Sequence, residues 1–163
     1  MIPHIKKILY ATDLSKNSVY AFYFAIDMAK KYDAEIYILH VVEHMVATFG
    51  GQTVNLNKDK PGAAIAEIKT TLHNFCNRVE EKNNLACVAL VDKIFVHIGD
   101  PVHEILKAAD EEKCDLIVLG NHGKGFVARA IMGNVARSVM DKARIPVFLI
   151  PLPAEDNLAL AEI

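Results

Sequence analysis

Short, nearly continuous apolar segments alternate with segments of helical periodicity along this chain of 163 residues. Apolar runs of this kind are typical of parallel strands buried on both faces. They occupy residues 8–11, 36–42, 89–98, 115–119 and 146–150. Between them, apolar residues recur every three or four positions, as in Val19, Phe22, Ile26 and Ala29. The alternation predicts an α/β fold, an open five-stranded parallel sheet with helices on both faces and right-handed crossovers.

Local signals predict where several elements begin. Ser15 is a favourable N-cap for the first helix, and Asp100 followed by Pro101 is a strong start signal for the third. Asp92 and Lys93 interrupt the third strand, which indicates an edge position in the sheet. Residues 43–60 show no clear period, so we expect a long loop there.

Composition excludes several classes of protein. Eighteen basic residues against twenty acidic ones do not make a polybasic nucleic-acid binder, and the chain has no Trp for stacking on bases. No segment approaches the roughly 20 apolar residues that a membrane span needs. We therefore expect no nucleic-acid partner and no membrane association. One domain is expected over residues 1–152, followed by a C-terminal tail over 153–163.

Three cysteines, Cys76, Cys87 and Cys114, stand at wide spacings without a CxxC pair. An odd number in this arrangement favours reduced thiols over a disulfide framework or a zinc site. Reduced thiols are typical of cytoplasmic proteins, and we expect that location.

The segment from Gly120 to Gly133 carries the clearest chemical signal. Gly120 follows a buried strand, and two further glycines, Gly123 and Gly125, allow close approach of backbone amides to an anion. A helix then opens at Gly133, and the first amides of a helix favour a phosphate. Residues 120–144 hold five basic residues and one acidic residue, although the whole chain is net negative. The segment is thus a candidate phosphate-binding loop.

Alternatives to that interpretation remain open at this point. The glycines can serve a tight turn alone, and the basic residues can simply solvate a helix. The segment is not a P-loop, because Lys124 is followed by Gly125 rather than Ser or Thr, and it is not a dinucleotide fingerprint. His40 and His44 stand four residues apart at a strand end, where no nearby Glu or Cys completes a ligand set, so packing or loop polarity is favoured over a metal site.

In open parallel sheets, ligands bind beyond the carboxyl ends of the strands. The candidate site should therefore include Thr12 and Asp13, residues 40–43, residues 99–100, and the loop after Leu119.

The loop, read as Gly120-x2-Gly123-x9-Gly133-Asn134, resembles the ATP-binding signature of the universal stress protein family. Further similarities cover almost the whole chain: residues 11–15, 39–42, 99–101 and 114–120. The resemblance implies a Rossmann-like fold of the adenine nucleotide alpha hydrolase type, with strand order 3-2-1-4-5. Two positions depart from the family pattern: Asn134 replaces Ser or Thr, and Ala11 replaces Pro.

The resemblance also implies roles for individual residues. Asp13 would lie against the ribose or near a Mg²⁺ ion held by the phosphates, and the backbone of Val41 would contact adenine. Gly120, Gly123 and Lys124 would surround the ribose and phosphates. The whole implied nucleotide site comprises Ala11, Thr12, Asp13, Val41, Gly120, Asn121, His122, Gly123, Lys124, Gly133, Asn134, Val135 and Ala136.

The resulting expectation is a cytoplasmic stress-response protein in which ATP or another adenine nucleotide changes conformation or partners. Hydrolysis is expected to be slow or absent, because a lone carboxylate such as Asp13 does not orient an attacking water. The family commonly forms homodimers through the last strand, here residues 146–150. A nucleotide-independent dimer is one alternative. An adenylating ATP-dependent enzyme is disfavoured, because the turn after the first strand, residues 12–15, contains no glycine.

Overall fold

The computed structural model describes residues 2–43, 46–49, 52–55, 61–121 and 132–151. Its strands are β1 (Lys7–Thr12), β2 (Glu35–Val42), β3 (Val46–Phe49), β4 (Gln52–Asn55), β5 (Val91–Ile98), β6 (Leu116–Gly120) and β7 (Val147–Ile150). Five of them form one parallel sheet in the order β5-β2-β1-β6-β7. Counted along the chain, these five strands have the order 3-2-1-4-5, which confirms the predicted topology.

In the described residues, four α-helices cover the sheet: α1 (Lys16–Tyr32), α2 (Pro61–Asn83), α3 (Pro101–Glu111) and α4 (Asn134–Lys142). The predicted caps are confirmed. The Ser15 side chain accepts a hydrogen bond from the Ser18 amide at the start of α1. Asp100 accepts one from the His103 amide at 2.8 Å at the start of α3. These caps satisfy amides that the first turn of a helix leaves without partners.

Alternate residues of the strands divide the core into two layers. Ile8 and Tyr10 of β1 pack with Phe22 of α1 and Phe75 of α2, and the Phe22 ring lies 4.9 Å from Tyr10 and 5.1 Å from Phe75. Leu9 faces the opposite side, in a cluster that includes buried residues of α3 and α4. Because β1 is covered on both faces, its sequence is apolar without interruption.

The third strand of the parallel sheet, β5, lies at an edge, as the sequence predicts. Among the described residues β5 pairs with β2 alone, so the predicted edge position is confirmed.

The predicted loop over residues 43–60 is partly wrong, because β3 and β4 pair there as an antiparallel hairpin. Gly50-Gly51, a two-residue hairpin signal, stands between them in the sequence. The strands have only four residues each, too few to show a period.

The three cysteines are free thiols buried in the two core clusters. Burial raises the pKa of the Cys76 thiol to about 12 and that of Cys114 to about 11. Since the thiolate is the nucleophile, these groups are poor nucleophiles at neutral pH. Their role in the described fold is packing.

Two sets of predictions fall outside this description. The predicted tail over residues 153–163 and the loop residues 122–131 lie outside the described residues. Within the described part of the chain, no helix is long and apolar enough to cross a membrane.

Candidate functional site

A cavity of about 620 Å³ opens at the carboxyl ends of the central strands. This volume lies in the usual range of small-molecule sites, about 300–1,000 Å³. Ten of the residues predicted from the sequence line it: Ala11, Thr12, Asp13, Val41, Gly120, Asn121, Gly133, Asn134, Val135 and Ala136. The other three, His122, Gly123 and Lys124, lie outside the described residues.

The position of the cavity follows from the strand order. From β1 the chain proceeds to β2 on one side, and it later returns to β6 on the other. At such a switch point, the connections leave in opposite directions and open a crevice. The cavity lies there, between the ends of β1, β2 and β6.

Eight further residues line the cavity, and three of them, His40, Val42 and Glu43, fall in the strand-end segment 40–43 that was predicted for the site. The full set is Ser18, Leu39, His40, Val42, Glu43, Pro101, Ile105 and Leu119. Most of them are at the ends of the central strands, which the switch-point rule marks as lining positions. Pro101 and Ile105 come from α3, whose first turns reach the same edge of the sheet. The sequence alone does not predict that the first turns of α3 extend to the cavity.

The lining is divided between apolar and polar groups. The apolar part includes Leu39, Val41, Ile105, Leu119 and Val135, most of which belong to or pack against the α3–α4 core cluster. The polar part includes Thr12, Asp13, Ser18, His40, Glu43, Asn121 and Asn134. A cavity of this composition suits a ligand with a flat apolar part and a polar, charged extension.

The turn after β1 is held by its own side chains. The Thr12 hydroxyl is 2.9 Å from that of Ser18 and accepts the Leu14 amide at 3.0 Å. One carboxylate oxygen of Asp13 accepts the Ser15 amide at 3.0 Å. Leu14 has a φ of 61°, a left-handed conformation that non-glycine residues seldom adopt. The turn is therefore fixed in one conformation at the cavity wall.

His40 links this turn to β2. Its Nδ1 lies 2.8 Å from the carbonyl oxygen of Thr12. A carbonyl oxygen only accepts hydrogen bonds, so Nδ1 carries the hydrogen and donates.

Gly120 is required by close packing. A Cβ on this residue would lie 2.8 Å from Oδ1 of Asn17 and 3.3 Å from its backbone carbon. Asn17 is 3% exposed, and its Nδ2 donates to the carbonyls of Ile150 at 3.3 Å and Pro151 at 3.2 Å. The contact thus holds α1 against the ends of β6 and β7.

Asn121 and Gly133 hold together the two ends of the glycine-rich segment. The Gly133 amide donates to the Asn121 carbonyl at 2.8 Å, and the Asn121 amide donates to the Ile150 carbonyl at 2.7 Å. The side-chain Oδ1 of Asn121 is buried and has no hydrogen-bond partner within the described part of the chain. The segment therefore leaves and rejoins the fold at one point on the cavity wall.

The N-terminus of α4 opens into the cavity. Gly133 is the N-cap, with φ −61° and ψ 149°, and its carbonyl accepts the Arg137 amide at 3.0 Å. The next three residues, Asn134 to Ala136, carry first-turn amides, which a helix leaves without intrahelical acceptors. These amides and the helix dipole favour an anion.

The Gly133 dihedral angles are accessible to any residue. The backbone therefore does not require glycine at this position in the cavity wall.

The described charges of the cavity are acidic. Asp13 and Glu43 contribute carboxylates to the lining. Over the described ranges, no group of three or more His, Cys, Asp or Glu residues could hold a metal ion by itself.

An open parallel sheet with a cavity at its switch point defines a doubly wound, Rossmann-like α/β protein. The sequence profile described as the universal stress protein family matches residues 4–151. The chain belongs to that family. A universal stress protein of Methanocaldococcus jannaschii is 30% identical over 93% of this chain and 85% of its own.

Solved structures of low sequence identity share the fold. A universal stress protein from Lactobacillus plantarum superposes with a TM-score of 0.71 at 23% identity, covering 91% of this chain and 99% of that one. A universal stress protein in complex with cAMP gives a TM-score of 0.59 at 22% identity, covering 91% and 98%. One from Archaeoglobus fulgidus in complex with dAMP gives 0.55 at 23%, covering 91% and 99%.

The packing of Asn17 against Gly120 yields a first prediction. Gly120→Ala should lower the free energy of unfolding by about 1–3 kcal/mol, because the new Cβ forces Asn17 or β6 to shift. Gly62→Ala is the matched control, since a Cβ there has nothing within 4 Å in the described part of the chain, and alanine favours the helix. Urea unfolding measures both, and equal midpoints for the two variants would contradict the assigned contact.

Proposed function

We propose that this universal stress protein binds ATP, or another adenine nucleotide, in the cavity at the switch point. The observation that carries the proposal is the opening of the α4 first-turn amides into the same cavity as the apolar strand ends. The amides suit the phosphates, and the apolar part suits the base. The cAMP and dAMP complexes of two structural neighbours support an adenine nucleotide as the ligand class.

Individual residues take the roles that the family resemblance implies. The Val41 backbone contacts adenine, and Asp13 faces the ribose. Gly120, Gly123 and Lys124 lie along the ribose and phosphates, and His122 contributes from the same loop. Contacts from Ala11, Thr12 and Asn121, and the amides of Gly133, Asn134, Val135 and Ala136, complete the proposed site.

The Gly133 amide is a weaker phosphate donor than the amides that follow it, because it already has a hydrogen-bond partner. This amide donates to Asn121, so the amides of Asn134, Val135 and Ala136 are the better phosphate donors. Asn134 replaces the Ser or Thr of the family pattern, and its side-chain amide can donate to a phosphate oxygen.

Mg²⁺ would accompany ATP in this proposal. The carboxylate of Asp13 is an oxygen ligand of the kind that Mg²⁺ prefers, and it lines the cavity beside the start of α4. The cation would neutralise phosphate charge close to Asp13 and Glu43. Asp13 would hold it through direct or water-mediated contact.

The activity that we infer is regulatory. Nucleotide binding changes conformation or partners, and hydrolysis is slow or absent, because a carboxylate alone does not orient an attacking water. Three free thiols support the cytoplasm as the location.

We further propose a homodimer formed through β7. The Ile117 amide donates to the Pro146 carbonyl and the Asn121 amide to the Ile150 carbonyl. In a parallel ladder of this register, residues 146, 148 and 150 bond to β6, so Val147 and Leu149 present their backbone groups outward. Phe148 is 37% exposed and its ring lies 6.2 Å from that of Phe24. An edge strand that has no second partner among the described residues, with exposed aromatic surface, favours a second copy.

The nucleotide proposal predicts that Gly133→Val abolishes ATP binding. The backbone angles at Gly133 admit valine, so the fold should persist while the side chain fills the phosphate path. Calorimetric titration of nucleotide-stripped protein with ATP and Mg²⁺ measures the effect, and the wild type should bind in the micromolar range or tighter. Gly62→Val is the control and should bind as the wild type does.

Unchanged affinity in Gly133→Val would contradict the site. No binding by the wild type, with no nucleotide co-purified, would favour the nucleotide-independent dimer instead.

The dimer proposal predicts that Phe148→Lys yields monomers, because a charge beside a free edge opposes strand pairing. Tyr32→Lys is the control, since Tyr32 is 48% exposed but lies at the end of α1, away from β7. Light scattering should give twice the chain mass of 18.0 kDa for the wild type and Tyr32→Lys, and 18.0 kDa for Phe148→Lys. A dimeric Phe148→Lys protein would place the interface elsewhere.

A further inference from the structure

We propose that His40 is a positioning residue for the nucleotide site, acting through the carbonyl of Thr12; this inference rests on the proposed nucleotide binding. In the sequence, His40 lies in the predicted strand-end segment 40–43, and its pairing with His44 suggests only packing or loop polarity. The geometry assigns it a specific hydrogen bond at the point where β1 leaves the sheet.

The hydrogen bond crosses between two strand ends that both line the cavity. Thr12 and His40 are register partners in the parallel pair of β1 and β2. The 2.8 Å contact joins the side chain of one to the backbone carbonyl of the other. It therefore adds a side-chain restraint to the peptide plane between Thr12 and Asp13, from which the Asp13 side chain starts.

This hydrogen bond acts on a different peptide from the two side-chain hydrogen bonds within the turn. The Thr12 hydroxyl and the Asp13 carboxylate hold the amides of Leu14 and Ser15, which lie further along the turn. His40 holds the carbonyl before Asp13. Without it, the turn keeps its connection to α1, but the peptide preceding Asp13 loses a side-chain restraint from β2.

The hydrogen bond to the Thr12 carbonyl also determines which tautomer the neutral His40 imidazole adopts. Because the carbonyl accepts, Nδ1 must carry hydrogen, and a neutral His40 is the Nδ1–H tautomer. Free histidine prefers the other tautomer, so the Nδ1–H form is a measurable signature of this contact. Nitrogen-15 chemical shifts of the imidazole distinguish the two forms.

Two substitutions separate positioning from simple packing. In His40→Asn, the side-chain amide nitrogen occupies about the place of Nδ1 and can still donate to Thr12. In His40→Gln, the amide nitrogen occupies about the place of Nε2, and the donor to Thr12 is lost. We expect His40→Gln to bind ATP with Mg²⁺ about tenfold more weakly than the wild type, the scale of one lost hydrogen bond.

His40→Asn should bind within about threefold of the wild type, and His73→Gln, the same change at an exposed site on α2, should bind normally. Calorimetry with ATP and Mg²⁺ gives the affinities, and imidazole nitrogen-15 spectra of the wild type give the tautomer. Equal affinities for His40→Gln and the wild type would overturn the proposal while leaving the nucleotide site intact. An Nε2–H tautomer in the wild type would also overturn it, even if no variant at this position folds.

Failure of the proposed function gives a different result. If the wild type and His73→Gln both fail to bind ATP, the proposed nucleotide site is wrong, and the positioning role of His40 is contradicted as well. Equal weakening in His40→Asn and His40→Gln would indicate that the histidine acts by packing alone, which contradicts the positioning role.

Discussion

The pairing of β1 with β2 on one side and β6 on the other is the constraint on which the rest of the structure depends. It makes β1 the centre of the sheet, and its residues from Ile8 to Tyr10 are fully buried. It also creates the switch point at which the connections diverge. The cavity, the turn around Asp13 and the start of α4 all take their positions from that central strand.

Contacts beside the cavity connect it to the edge of the sheet. The Ile150 carbonyl accepts hydrogen bonds from the Asn121 amide and from the Asn17 side chain. Asn121 in turn accepts the Gly133 amide at the start of α4. The wall of the candidate nucleotide site and the end of the proposed dimer strand therefore share one hydrogen-bonded group.

Much of the fold was predictable from the sequence, because the residues that specify each strand or helix start lie close together in the chain. The apolar runs gave the buried strands, and Ser15 and Asp100 gave helix starts, since capping depends on a few adjacent residues. The β3–β4 hairpin was not predicted, because a four-residue strand is too short to show a clear alternating pattern. The strand order came from family resemblance and not from periodicity, which does not report which strands are neighbours.

The candidate site was predictable where it follows the strand ends and the glycine pattern. The contributions of Pro101 and Ile105 depend on how α3 packs against the sheet, and no local pattern encodes that packing. His40 illustrates the same limit. A histidine at a strand end acquires a specific hydrogen-bond partner only when β1 and β2 come into register.

The central claim is that an adenine nucleotide occupies the cavity at the switch point. The most direct test is to map amide chemical-shift changes in nitrogen-15-labelled protein during titration with ATP and Mg²⁺. The account predicts the largest changes at the amides of Val41 and Asn134 to Ala136, with little change at the amino ends of the strands. An absence of shifts at millimolar ATP, or shifts concentrated away from the cavity, would contradict it.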